Sequence, residues 1–230
     1  QHKAMPISAL FGLGSSCSNS GFIGYPIAAQ VLGPQPAAVA LAMSMLLENL
    51  LMIPLALALA ERGSASAQQW HRLVLLSLGR LMMNPVIVAI FAGFGVALFE
   101  IQLSEPLART VNMLAMSSTA LALFVIGGSL VGLEMKGMRT DVATVALGKL
   151  LLHPLAVGLA AWALPPADPQ LRAAAVVFAG MPMLSIYPIL AQQYHEEGFT
   201  AAALLLTTML SFVSISVILW LLGPVLGWTG

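Results

Sequence analysis

Charge is what this sequence has least of: nine basic and nine acidic residues among 230, 8% in all, against 59% hydrophobic. Ordinary soluble domains carry about a quarter charged residues, so a chain this apolar could not cover its surface with side chains that water solvates. The even balance excludes the basic patch of a nucleic-acid binder and the polybasic anchor of a protein resting on anionic lipid. A single cysteine, Cys17, excludes an internal disulfide and a cysteine metal cluster. The four histidines lack zinc-site spacing, so neither a metal nor a cofactor is expected. No Gly-x-x-x-x-Gly-Lys phosphate loop is present, which excludes a nucleotide-driven pump within this chain. An initiator methionine is also missing. Gln1-His2-Lys3-Ala4 is too short for the ordered regions of a signal peptide, and residue 1 is expected to be a cut point inside a longer protein.

What the sequence has is long apolar runs. About 20 apolar residues cross the hydrocarbon core of a bilayer as a helix. Seven segments fit: 6–32, 37–60, 78–99, 107–132, 142–164, 171–194 and 200–222, parted by short polar or Pro/Gly-rich breaks. The expected fold is therefore an all-α membrane protein with seven transmembrane helices. Lys3, Arg62, Arg72, Arg80, Lys136 and Arg139 fall on one side, Arg109 and Arg172 on the other. The excess of Lys and Arg marks the cytoplasmic side, so loop 61–77 is expected there and the C-terminus in the periplasm of a bacterial inner membrane. Trp162, Trp220 and Trp228 stand near span ends, as interfacial anchors do.

The first and sixth spans are the informative ones. The first contains Gly12-Leu13-Gly14-Ser15-Ser16-Cys17-Ser18-Asn19-Ser20-Gly21-Phe22-Ile23-Gly24-Tyr25-Pro26, most of it small, polar or proline. The sixth contains Ala179-Gly180-Met181-Pro182-Met183-Leu184-Ser185-Ile186-Tyr187-Pro188, with two prolines near its centre. Backbone released from a helix at bilayer depth must be satisfied inside the protein, so irregular stretches occur only where they are buried or line a cavity. A broken span followed by a plain one, at 6–60 and again at 171–222, with the two breaks running in opposite directions, predicts inverted topology and a midplane site. The span set 78–230 is complete with five members; the first repeat is expected to supply only its last two, broken 6–32 and plain 37–60, with three more ahead of residue 1. Half-helix N-termini present unpaired N–H groups and partial positive charge, suited to an anion. Ser18, Asn19 and Ser20 would add neutral donors around it, while Gly12, Gly14 and Gly24 serve close packing equally well.

Ser16-Cys17-Ser18-Asn19-Ser20-Gly21-Phe22-Ile23-Gly24-Tyr25-Pro26 resembles the fourth-helix motif of the auxin efflux carrier family, which includes bacterial malonate-transporter-like proteins and plant auxin carriers. Asn84-Pro85, Ala122-Leu123-Phe124-Val125-Ile126-Gly127, Met181-Pro182 and Thr207-Thr208-Met209-Leu210-Ser211 are similar to the same family. Ser185-Ile186-Tyr187-Pro188-Ile189-Leu190-Ala191-Gln192-Gln193-Tyr194 looks most like its malonate-type branch. The resemblance spans essentially the whole chain. It implies ten helices in two inverted repeats of five, and organic anions bound where the fourth and ninth helices cross. Carried onto this chain, the substrate-binding residues are Ser18, Asn19, Ser20, Gly21, Pro26, Met181, Pro182, Ser185 and Tyr187.

Three more residues are candidates for moving charge. Glu48 lies midway along the second span beside Asn49, and an intramembrane carboxylate points to a partner or a cavity. It could carry a coupling proton or simply bond a neighbouring broken helix. Lys149 and His153 are four apart and so share a helix face. Lys149 could attract an anion or snorkel to the interface; His153 could join a proton path. The partners expected are a small organic anion and the bilayer, with no nucleic acid; a homodimer is left open. The function read from all this is a secondary carrier of small organic anions, not an enzyme, since no elbow or orienting group accompanies Ser18 or Cys17 as nucleophile. A sodium/bile-acid-symporter-like carrier and a membrane ligand sensor are the alternatives.

Overall fold

A polypeptide this apolar closes its backbone hydrogen bonds within helices, and in the computed structural model, which describes residues 5–62, 85–129, 138–164 and 168–224, helices are what form. In chain order they are α1 (Met5–Ser16), α2 (Tyr25–Leu32), α3 (Pro34–Leu47), α4 (Ile53–Arg62), α5 (Pro85–Leu98), α6 (Glu105–Ser129), α7 (Arg139–Leu147), α8 (His153–Ala163), α9 (Pro169–Ala179), α10 (Tyr187–Ala191) and α11 (Glu197–Leu222). Among the described residues, three continuous helices are long and apolar enough to cross a membrane: Pro34–Ala60, Arg139–Ala163 and Glu197–Leu222, of 27, 25 and 26 residues. The start of the expected third span at 78–84, with Asn84, the loop at 63–77, Lys3, Arg72, Arg80, Lys136 and Trp228 lie outside the described residues.

Local chemistry sets the ends. Between α2 and α3, Gly33 takes φ 88°, open to glycine without a Cβ clash, and Pro34 starts α3 where a missing N–H is no loss. Asp168 caps α9 by accepting from the Gln170 N–H at 2.8 Å, again with proline next.

The span expected to be plain at 37–60 differs from a uniform α-helix, and so does the span at 142–164. Each contains a wider π turn, at Glu48–Met52 and Gly148–Leu152, and a third follows the first break at Ser20–Gly24. The cause is proline. Ile53, His153 and Tyr25, which precede Pro54, Pro154 and Pro26, donate five residues back, to the carbonyls of Glu48, Gly148 and Ser20. A proline offers no N–H to the ladder and its ring pushes on the preceding turn. The helix absorbs one extra residue there, as π bulges do.

Two clusters of buried side chains flank the breaks. One joins Leu10 and Leu13 of α1, Val142 and Val145 of α7, Tyr187 and Ala191 of α10, and Phe199 and Ala203 of α11. The other joins Ala28 and Leu32 of α2, Ala37 of α3, Ala174 and Val177 of α9, and Ile215 at the far end of α11. Each cluster takes one half of each broken span, so the halves cross as an X. The seal on the first side is tight: a Cβ on Gly14 would stand 2.7 Å from the Tyr187 ring, and the Tyr187 hydroxyl donates to the Leu10 carbonyl at 2.8 Å. Gly14→Ala is expected to destabilise by about 1–3 kcal/mol, the usual range for overpacking. Gly21→Ala, which meets only the flexible end of Met45, is expected to cost much less. Thermal unfolding of the two variants in detergent checks the contrast; equal midpoints would contradict it.

Candidate functional site

α1 ends at Ser16, and the next residues leave the helix to meet the other break. Ser18 and Met183 form a single antiparallel bridge. The Asn19 N–H donates to the Pro182 carbonyl at 2.8 Å, and its side-chain Nδ2 donates to Ser185 Oγ at 2.6 Å. The remaining amide atom, Oδ1, accepts from the Phe22 N–H at 3.2 Å and so caps the turn that restarts the helix. One buried asparagine thus holds both irregular segments and the second half of its own span. Ser18, Asn19 and Ser20 are all buried, which is how unwound backbone survives at this depth.

Glu48 reaches this crossing from the first π turn. Its Oε1 accepts from the Ser18 N–H at 2.7 Å and from Ser20 Oγ at 3.0 Å. Lys149 reaches it from another. The Lys149 side chain is fully buried, so it does not snorkel: Nζ donates to Ser18 Oγ at 2.7 Å and to the Ala179 carbonyl at 2.9 Å, and lies 2.8 Å from His153 Nδ1. Ser18 therefore bridges the two charges, its hydroxyl to the lysine and its N–H to the carboxylate. Both π turns put a chargeable residue at their first or second position, where the widened turn leans toward the break.

Beside the crossing lies a cavity of about 630 Å³. Its polar lining is Ser18, Asn19, Ser20, Glu48, Asn49 and Ser185, joined by Asn112 of α6; Phe22, Tyr25, Met45 and Ile186 are among the rest. A few convergent polar groups in an otherwise apolar hollow of this size is the usual make-up of a small-molecule site.

Of the residues carried over from the family motif, Ser18, Asn19, Ser20, Gly21, Pro26 and Ser185 line the cavity. Met181, Pro182 and Tyr187 do not. Met181 is packed in the cluster with Ala28 and Val177; Pro182 contributes its carbonyl to Asn19; Tyr187 is buried with its hydroxyl on Leu10. Glu48 is on the wall, while Lys149 and half-buried His153 stand behind it. The cavity adds Asn112, a polar residue on an apolar helix, and Met45. The hydroxyls of the last span turn inward on their own helix, Thr207 to Ala203 and Ser211 to Thr208. Among the described residues no cluster of His, Cys, Asp and Glu could hold a metal.

A family profile described as "Membrane transport protein" matches residues 3–220. A protein of Rhizobium meliloti (strain 1021), described as "Putative malonate transporter", is 28% identical over 212 residues. The match covers 92% of this chain and 66% of that protein, so the chain spans just under two thirds of the relative's length.

Proposed function

The chain belongs to the membrane transport protein family, and from that premise we propose that it carries the binding site of a secondary transporter for small organic anions. Carboxylates are the substrate class, with malonate-like dicarboxylates included on the strength of the relative's description. The observation that carries the reading is Asn19, bonded at once to the Pro182 carbonyl and Ser185 Oγ beside the cavity. Two half-helices restart at this point, at Ser20 and Tyr187, and their N-terminal ends favour negative charge. Exchange of the site between the two sides of the membrane is by alternating access, one bundle moving past the other around the crossing.

Within this proposal the seven spans are the later members of two inverted five-helix repeats, with a periplasmic C-terminus in a bacterial inner membrane. Glu48 is the coupling group: an anion and a charged carboxylate repel one another across a mostly apolar cavity, so anion binding goes with a proton on Glu48. Lys149 and His153 complete the set of ionisable side chains behind Ser18.

The test is uptake into proteoliposomes by the full-length protein, with radiolabelled malonate and a panel of small mono- and dicarboxylates, at several external pH values, with and without sodium. Saturable, sodium-independent uptake driven by an inward proton gradient is the expected result. Sodium-dependent uptake would point to a sodium symporter of related architecture. Binding without flux would make the protein a ligand sensor, and neither binding nor flux for any carboxylate would overturn the reading.

A further inference from the structure

Lys149 is the one fully buried charged side chain among the described residues, and its surroundings are those of a bound cation. Ala179 is the last residue of α9, so its carbonyl is one of the orphan acceptors at the negative end of a helix dipole. Ser18 Oγ belongs to the opposite break, and His153 Nδ1 supplies a third neighbour within 2.8 Å. With Nδ1 of His153 unprotonated, the three acceptors match the three protons of an ammonium, which leaves none to offer a ligand in the cavity. On the far side of Ser18 stands the Glu48 carboxylate. Half-helix C-termini and unwound segments are where carriers with broken helices seat a coupling cation; here the corresponding spot is filled by a side chain of the protein itself.

We propose that the Lys149 ammonium is a resident cation of the crossing, a positioning residue that ties the end of α9 to the first break through Ser18 and balances Glu48 without touching the transported molecule. The compactness of an ammonium fits the role, since a guanidinium needs a planar fork of acceptors that this tight corner lacks. The Gly148 backbone beside it is hemmed in as well: a Cβ there would stand 2.7 Å from Ser15 Oγ. This role is independent of which molecule enters the cavity.

The experiment reads stability rather than transport, so its failure is separable from failure of the carrier reading. The full-length protein and its Lys149→Ala, Lys149→Met and Lys149→Met/Glu48→Gln variants are heated in detergent. Chloride salts of sodium, methylammonium and N-methylglucamine are compared at one ionic strength. Removing the cation leaves a carboxylate and a helix end uncompensated, and the unfolding midpoint of either single variant is expected to fall by about 5 °C or more. Methylammonium or sodium is expected to raise the midpoint of Lys149→Ala selectively, leaving the parent unmoved. Glu48→Gln is expected to recover part of what Lys149→Met loses. A purely space-filling lysine gives neither response, and the absence of both overturns the proposal. Should the single variants not fold, recovery of folded protein in the double variant supports the role equally, and no recovery overturns it.

Discussion

Replacing Asn19 by alanine in the full-length protein is expected to lower substrate-dependent uptake by more than tenfold at unchanged expression. The substitution removes the Nδ2 bond to Ser185 Oγ and the Oδ1 cap on the Phe22 N–H, and it leaves the backbone bonds: the N–H to Pro182, and the carbonyl accepting from Ile23 and Gly24. A cap of this kind contributes about 1 kcal/mol and a side-chain hydrogen bond a similar amount. Together they amount to about 2 kcal/mol of preference for the ordered crossing, and each 1.4 kcal/mol is about tenfold in an equilibrium. Ser185→Ala removes one of the two bonds and should fall between parent and Asn19→Ala. Two controls separate a damaged site from a damaged protein. The unfolding midpoint of Asn19→Ala should drop by a few degrees only, because Leu10, Tyr187 and Phe199 on one side and Ala28, Val177 and Ile215 on the other hold the X without it. Pro182→Ala keeps the carbonyl that Asn19 uses but restores an N–H to a segment built without one. It too should transport poorly. If Asn19→Ala takes up substrate at the parent's rate, the crossing is not where the anion binds.

The interruptions were legible because they conflict with their setting. Ser18, Asn19 and Ser20 in sequence at bilayer depth demand partners, and Pro182 and Pro188 cannot sit in an unbroken ladder. What could not be read was which neighbours face the cavity. The spans are apolar all round, so Met45 and Ile53, which line it, carry the same signature as exposed Leu47 and Leu51. Within the second break the backbone has no period at all. Ser185 turns to the cavity while Tyr187, two residues on, turns to Leu10. The π turns had a signal in the prolines at 54 and 154, each preceded by a chargeable residue within six positions, but a proline alone does not say whether a helix kinks or widens. Whether Lys149 snorkels or is buried depended on Ser18, 131 residues away, and no local pattern reports such a partner.

Glu48→Gln separates the two roles open to this carboxylate. In the parent, uptake that requires a protonated Glu48 falls as pH rises through the value at which that group releases its proton in the membrane. Each further unit removes about tenfold of the competent form. Glutamine keeps the shape of the protonated acid and cannot lose a proton, so the variant is expected to take up anion at a rate nearly flat with pH and above the parent's at the alkaline end. It is also expected to lose concentrative uptake, since a site that no longer carries a proton cannot draw on the proton gradient. The bonds give a reason to expect the variant to fold: the glutamine carbonyl still accepts from the Ser18 N–H and from Ser20 Oγ, as Glu48 does at 2.7 and 3.0 Å. What changes is the balance with Lys149, whose ammonium then faces a neutral partner across Ser18. A pH profile parallel to the parent's, with concentrative uptake intact, would assign Glu48 to holding the break in place and move the proton to another group.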